Sequence, residues 1–217
     1  FGLNNSNPTL DNLQKSGLRV LLNGDWNEQS PLGKAEWIKF FGALYGLDAK
    51  AKTIFSTIEK EFQTTLALAQ KAKQKPSVLS GAMYQDQWFV PQGESWMALF
   101  LKEAQSNYLW SKTTGTGSLS LPFETILEKA QKAEFWIAPG DFSSLKEMNN
   151  CNPHYAKFDA FKNKKVYSYA LHKGAKGGIL FFEWSSTRPD WVLKDLIAIF
   201  HPELSPQYRP HFFEKLN

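Results

Sequence analysis

Hydrophobic side chains recur on one face of a helical pattern over residues 31–73. Ser30 followed by Pro31 is typical of a helix N-cap with proline at the first helical position. Gly46-Leu47-Asp48 interrupts the spacing, so the pattern predicts a short helix and then a long one from about Asp48. The apolar residues on this face are Ile38, Phe41, Tyr45, Ala51, Ile54, Phe55, Ile58 and Phe62.

The first thirty residues predict only a helix at Thr9–Ser16, ended by Gly17, and an apolar strand at Leu18–Asn23. One helix and one strand cannot build a domain. Their packing partners are therefore expected outside these residues, and we interpret the chain, which opens with Phe1, as a fragment or a processed product.

Beyond Lys75 the pattern alternates between strands and helices, which is the mark of an α/β fold. The tail at 204–216 is rich in proline and aromatic residues and is predicted to pack over the core. The predicted strands are 76–83, 88–90, 134–138 and 166–170. The predicted helices are 95–105, 123–132, 144–148, 154–161, 177–185 and 189–200.

The charge distribution and the cysteine content disfavour a nucleic-acid-binding protein and a disulfide- or zinc-stabilised one. The net charge is +4, and the lysine runs at 71–75 and 162–165 fall where helices should end, which favours a solvated helix terminus over a nucleic-acid patch. The single cysteine, Cys151, excludes an internal disulfide and a zinc knuckle. No apolar run has membrane-spanning length, and no signal-peptide architecture is present.

Catalytic motifs are incomplete. Ser95 in Gly93-Glu94-Ser95-Trp96 resembles a nucleophile elbow, but Met97 stands where a second glycine is needed. The four histidines have no metal-ligand spacing, and the glycine-rich segments match neither a Walker A nor a dinucleotide motif. We therefore expect no cofactor, no bound metal and no catalytic site.

Aromatic and cationic residues instead gather in segments that follow the predicted strands: 84–94, 110–118, 139–143 and 172–178. In an α/β sheet that edge binds ligands. Flat apolar rings beside a few cations suit a bulky, partly anionic ligand such as a metal chelate or a macrocycle. Core packing of each ring remains an equal alternative. The candidate residues are Tyr84, Trp88, Trp110, Phe142, His172 and Lys173, with Lys112 beside them.

Ser30–Phe40 resembles the segment that opens the interlobe helices of siderophore and vitamin B12 type binding proteins, especially those of Bacteroidetes. These are class III, helical-backbone substrate-binding proteins of ABC importers. The resemblance covers nearly the whole chain. Further similar segments are Val78–Gly81, Trp88–Trp96, Tyr108–Trp110, Gly115–Leu119, Phe135–Ile137, Asn152–Tyr155, Phe161–Asn163, Lys173-Gly174, Arg188–Asp190 and Phe200–Leu204.

The resemblance implies two α/β lobes joined by a rigid helix, with ligand held between them. Residues 1–30 would be a remnant of the N-terminal lobe, 31–74 the connector, and 75–217 a three-layer C-terminal lobe. Most of the N-terminal lobe would be absent. The implied location is periplasmic, or extracytoplasmic on a membrane anchor such as a lipoprotein's, and the uncovered lobe interface would favour self-association.

The resemblance also implies a function and partners. The protein would capture an iron–siderophore, haem or cobalamin-type chelate and deliver it to an ABC permease driven by its ATPase. Glu124 corresponds to the acidic residue that docks on permease arginines. Arg188 would either reach an anionic ligand or pair with Asp190. The alternatives are an α/β enzyme such as a hydrolase or transferase, a non-transport scaffold domain, and a free-metal carrier, which the sparse histidines and carboxylates disfavour.

Overall fold

A computed structural model describes residues 7–217 of the chain. Among these residues, no helix is both long and apolar enough to cross a bilayer. The helices are α1 (Pro8–Lys15), α2 (Pro31–Glu36), α3 (Ile38–Leu44), α4 (Asp48–Ala69), α5 (Trp96–Glu103), α6 (Phe123–Ala130), α7 (Leu145–Cys151), α8 (Asp159–Lys162), α9 (Leu180–Trp184) and α10 (Pro189–Phe200). Short 3₁₀ turns lie at Asp25–Asn27, Pro153–Lys157 and Pro202–Leu204.

The strands form two sheets. The five-stranded sheet has the order β4-β1-β6-β7-β8, and all its pairs are parallel except β7 with β8. The three-stranded sheet, β2-β3-β5, is antiparallel. This mixture confirms the predicted α/β fold. The strands are β1 (Ser77–Ser80), β2 (Ala82–Tyr84), β3 (Gln87–Pro91), β4 (Asn107–Tyr108), β5 (Ser118–Pro122), β6 (Phe135–Ile137), β7 (Val166–Ser168) and β8 (Glu214–Lys215).

Strand β6 is buried on both faces, because successive side chains point to opposite sides of a sheet. On one side Phe135 meets Phe200 of α10, with ring centroids 5.3 Å apart. On the other side Trp136 meets Tyr155 and Phe158 at 5.2 and 5.4 Å. Helical elements therefore cover both faces, which gives the three layers predicted for this part of the chain.

The segment 31–74, which is the predicted connector, follows the predicted helical pattern with one difference. The long helix α4 begins at Asp48, as expected. It buries Phe62 in the main core, where it packs on α10, and it buries Phe55 and Ile58 against Ala35 and Ile38 of α2 and α3. The predicted shorter helix is divided at Trp37 into α2 and α3. The Trp37 indole donates a hydrogen bond to Glu28 at 3.2 Å, which ties the start of the connector to the preceding segment.

The strand expected at Leu18–Asn23 is wrong. Helix α1 forms almost as predicted, and Gly17 follows it with a left-handed φ of +79°. The residues after it form no regular secondary structure, and no strand in the described part of the chain pairs with them. A strand needs a neighbour for its backbone hydrogen bonds, and local apolar pattern cannot supply one.

The strand predicted at 76–83 is divided at Gly81, so that β1 and β2 belong to different sheets. Gly81 has a φ of +86°, and a Cβ there would lie 1.9 Å from the Phe89 carbonyl oxygen. Only glycine allows that approach. The second sheet was largely missed because β5 (Ser118–Pro122) is polar at alternate positions and lies on the surface.

Candidate functional site

The carboxyl ends of β1, β4, β6 and β7 share one edge of the large sheet, because these strands are parallel. In open α/β sheets, ligands bind outside this edge. The chain leaves it through the β6 loop (138–144) and the β7 loop (169–179). We call the side chains gathered here the strand-end site. Its members are Phe142, Tyr169, His172, Lys173 and Phe182.

The β6 loop is held by a cap at the start of α7. The Ser144 side chain accepts a hydrogen bond from the Glu147 N–H at 3.1 Å. The Glu147 carboxylate reaches back to the N–H and the hydroxyl of Ser143, at 2.8 and 2.7 Å. These bonds, with a smaller effect of the Lys173 charge, hold the pKa of Glu147 below its usual value. The cap thus fixes the loop that carries Phe142.

The β7 loop closes on itself. The Gly174 N–H donates to the Gly178 carbonyl at 2.8 Å, and the Leu180 N–H donates to the His172 carbonyl at 2.9 Å. Lys173 is exposed on this closed loop. His172 Nε2 lies 3.4 Å from a Glu214 carboxylate oxygen on β8. The loop therefore presents its lysine from a constrained backbone.

Tyr169 and Phe182 supply rings beside this loop. Tyr169 stacks on Phe181 at 5.0 Å with an interplanar angle of 11°, and Phe182 meets its edge at 5.1 Å. Burial, with a smaller effect of the Asp141 charge, raises the pKa of Tyr169 to about 12, so the phenol is neutral at physiological pH. Phe182 is 64% exposed, although an apolar ring gains by burial.

The structure brings three of the predicted residues together at this edge: Phe142 on the β6 loop, and His172 and Lys173 on the β7 loop. Tyr84 lies at the tip of the β2–β3 hairpin and is 69% exposed. That hairpin starts beside the β6 loop, since a Cβ on Gly140 would lie 3.3 Å from that of Ala82.

Trp88 and Trp110 are core residues, which corrects their assignment as ligand contacts. Trp88 is fully buried, with Trp136 at 5.1 Å and Phe158 at 5.4 Å, and its indole donates to the Ser80 carbonyl. Trp110 is buried beneath Lys129, whose ammonium lies 5.0 Å from the ring centroid. Their positions near loops did not distinguish packing from binding.

Arg188 forms the pair with Asp190 that was the alternative to ligand contact. Its guanidinium donates two hydrogen bonds to the buried Asp190 carboxylate, at 2.9 and 2.6 Å. It also lies 3.5 Å from the centroid of the Trp191 ring. Because Nε and one terminal nitrogen of Arg188 already donate to Asp190, the main role of Arg188 is to stabilise the first turn of α10.

A cavity of about 460 Å³ lies where α9 and the start of α10 face the connector helices. Its wall includes Trp184, which is 49% exposed, and Arg188 on one side, and Trp37 and Phe41 on the other. Glu183 lines the cavity and also approaches the β7 loop at Gly178. The cavity therefore adjoins the strand-end site.

Phe182 and Trp184 were missed from the sequence. The signal was the dense aromatic run Leu180–Trp184 directly after a glycine-rich loop. A helix of five residues cannot turn every ring of such a run toward the core, so some must face outward. Phe181 is buried, whereas its neighbours Phe182 and Trp184 are exposed.

Glu124 lies in the first turn of α6 and is exposed. Glu128 follows one turn later and is exposed on the same face, since residues four apart are neighbours on a helix. This pair gives the surface of α6 a local negative charge.

Metal-ligating side chains do not converge within residues 7–217: no group of three or more His, Cys, Asp or Glu is placed to hold an ion. The strand-end site consists of aromatic rings, one lysine, and one histidine that is paired with a glutamate. Such a set can bury an apolar surface and neutralise an anion, but it offers no acid, base and nucleophile in one place.

The chain is similar to known proteins over most of its length. An uncharacterised lipoprotein of Methanocaldococcus jannaschii is 30% identical over 204 residues, which cover 93% of this chain and 47% of the relative. The chain spans about half the length of the curated relatives it matches, between 47% and 58%.

Two solved structures share its fold. The TroA-like periplasmic binding protein FepB of Veillonella parvula superposes with a TM-score of 0.68 at 14% identity, over 95% of this chain and 67% of that one. The periplasmic haem-binding protein HutB of Vibrio cholerae gives 0.67 at 15% identity, over 93% and 76%.

A model of the periplasmic binding protein family matches residues 6–170, which is most of the chain. This family and the solved structures consist of solute-binding proteins and not of enzymes, so the enzyme alternative is set aside. The chain belongs to the periplasmic binding protein family.

Proposed function

We propose that the chain is the C-terminal lobe and connector of an extracytoplasmic substrate-binding protein that feeds an ABC importer. The observation that carries the proposal is the strand-end site, where exposed Phe182 contacts Tyr169 of the β7 loop, the loop that also carries exposed Lys173. Family membership supports a role in solute capture. The lipoprotein name of one relative supports an extracytoplasmic, membrane-anchored location.

The ligand is a bulky, partly anionic chelate: an iron–siderophore, haem or a cobalamin. Neutral Tyr169 and exposed Phe182 offer flat apolar surface, and Lys173 offers a positive charge beside it. Ring faces and a nearby cation together bind flat anionic molecules by burial and charge neutralisation. The haem-binding relative HutB, which shares the fold, is consistent with this size of ligand.

The test is a titration of the full-length mature protein with haem, ferric siderophores and cobalamin, followed by tryptophan fluorescence with inner-filter correction and by calorimetry. We expect saturable binding of one of them. Phe182→Ala and Lys173→Ala should each weaken it roughly tenfold, the loss of one ordered contact. Lys162→Ala is the matched control, since this exposed lysine on α8 lies next to the opposite, amino-terminal end of β7.

Failure of all three ligands to bind a demonstrably folded protein would contradict the carrier proposal for these chelates. Equal loss in the Lys173 and Lys162 variants would contradict the strand-end site as the place of binding. A folded protein that binds none of them but still docks on the permease would favour the scaffold alternative.

Delivery to the permease and its ATPase is proposed to involve Glu124. The exposed position of this carboxylate in the first turn of α6 suits a charged hydrogen bond to a permease arginine. We expect Glu124→Ala to reduce uptake in cells without changing ligand affinity. Glu128→Ala is the matched control one turn further on, and equal uptake in the two variants would contradict the assignment.

The proposed domain plan assigns 31–74 to the connector, 75–217 to the C-terminal lobe, and 1–30 to a remnant of the N-terminal lobe; residues 1–6 lie outside the described part. Its support is the exposed apolar surface at Leu18, Leu21, Leu22 and Trp26. In this plan the N-terminal lobe would bury these side chains and would form the other wall of the ligand site.

A further inference from the structure

Asp195 lies in the middle of α10, and its side chain is fully buried. It accepts four hydrogen bonds from the C-terminal tail (205–217). Burial raises the pKa of Asp195, and these four donors oppose that rise. Since a buried carboxylate without donors is costly, the tail and Asp195 stabilise each other. The donors are the Tyr208 hydroxyl at 2.7 Å and the backbone N–H groups of His211, Phe212 and Phe213 at 2.9, 2.6 and 3.2 Å.

The tail held in this way supports the ring beside the strand-end site. Phe212 and Phe213 are buried and meet Phe181 at 5.8 and 5.3 Å. Phe181 in turn stacks on Tyr169, which meets exposed Phe182. The contacts thus run without a gap from the anchored tail to Phe182.

A second set of contacts leads to the cavity. His211 stacks on Trp191 at 4.3 Å with an interplanar angle of 12°, and Trp191 stacks on Trp184 at 6.1 Å. His211 Nδ1 lies 2.8 Å from the Tyr208 hydroxyl oxygen. Because that hydroxyl donates its only hydrogen to Asp195, His211 Nδ1 must donate, which fixes the ring's orientation over Trp191.

Helix α9, which carries Phe182 and Trp184, has five residues and no side-chain cap. So short a helix has little stability of its own and takes its position from packing. We propose that Asp195 is a positioning residue for the strand-end site and the cavity beside it: it anchors the tail, and the tail holds Phe182 of the site and Trp184 of the cavity wall. This inference rests on the proposed function, and it adds the element that orients the site.

The experiment uses the full-length mature protein with 5-fluorotryptophan, in which the Trp184 fluorine resonance is assigned by Trp184→Phe. We expect Asp195→Asn, which puts amide hydrogens against the tail N–H groups, to shift and broaden the Trp184 resonance. Haem affinity should fall by up to roughly tenfold, because the ring of Phe182 would then have to be ordered on binding. Glu61→Gln is the control, because Glu61 bonds the adjacent Lys194 of α10.

Tyr208→Phe is the second variant, and it tests the positioning role even if Asp195→Asn does not fold. It removes one of the four hydrogen bonds and the contact with His211, so the same changes should appear with smaller size. An unchanged Trp184 resonance in Tyr208→Phe, or an equal change in Glu61→Gln, would overturn the positioning role. If the wild-type protein binds no haem, haem is not its ligand, while the fluorine spectra still decide the role of Asp195.

Discussion

Exposed apolar side chains differ in number and in location between the first and the second part of this chain. Before residue 55 they are numerous and spread over several elements, with Leu18, Leu21, Leu22 and Tyr45 among them. After residue 75 they are few. There Tyr84, Phe182 and Trp184 lie near the strand-end site or line the adjoining cavity.

The difference lies in what supports each side chain. Phe182 and Trp184 rest on stacked rings that reach into the core, and a lysine and an arginine lie nearby. Leu21 and Leu22 lie on an irregular segment outside any helix or sheet of the described residues. Supported rings beside charges suit a small ligand, whereas a broad apolar surface suits a protein partner.

The largest expected effect contrasts a buried ring with an exposed one. Trp88→Ala should lower the free energy of unfolding by about 3–5 kcal/mol, because it leaves a cavity among Trp136, Tyr155 and Phe158. Phe182→Ala should change it by less than about 0.5 kcal/mol, as for most surface substitutions. Urea unfolding followed by circular dichroism measures both. Equal losses would show that Phe182 is a packing residue like Trp88.

The next effect concerns the N-terminal apolar surface. We expect the 217-residue chain to self-associate in light scattering, and Leu21→Glu with Leu22→Glu to weaken the association at least roughly tenfold, since two leucines would lose their burial. Tyr84→Glu, a charge placed on an exposed ring of the other region, is the control. A strict monomer at high concentration would contradict the proposed lobe interface.

The smallest effect is at the ion pair between Glu61 on α4 and Lys194 on α10. The bond from Lys194 holds the pKa of Glu61 below its usual value. The ion pair therefore stabilises the folded protein fully above the ordinary glutamate pKa of about 4.3. This stabilisation is lost as the pH falls through the lowered pKa that Glu61 has in the folded state. Glu61→Gln should cost at most about 0.5 kcal/mol at pH 7, since Glu61 is 45% exposed.

Comparing urea unfolding of the wild type and Glu61→Gln at pH 7 and near pH 3 measures this pair. The difference between the two proteins should become smaller at the lower pH, because more of the Glu61 carboxylate is protonated there. An unchanged difference would mean that the carboxylate charge is not the source of the stabilisation.

Elements with strong periodicity could be predicted from local pattern. The long helix from Asp48 and the helix Pro189–Phe200 match the structure, because each has one apolar face and a clear start. Three of the predicted site residues, Phe142, His172 and Lys173, lie on the segments after β6 and β7, and their part in ligand binding stays a prediction. The choice of rings was less successful, since Trp88 and Trp110 are buried.

Local spacing was sufficient for the α/β class, the main helices and the edge of the sheet where polar and aromatic residues collect, because periodicity and caps act over a few residues. Only the tertiary structure decided which rings reach solvent. Trp88 and Phe182 both stand near turns, and their burial depends on contacts with residues distant along the chain. The same holds for Asp195, whose donors lie 13 to 18 residues away and meet it only after the tail folds back.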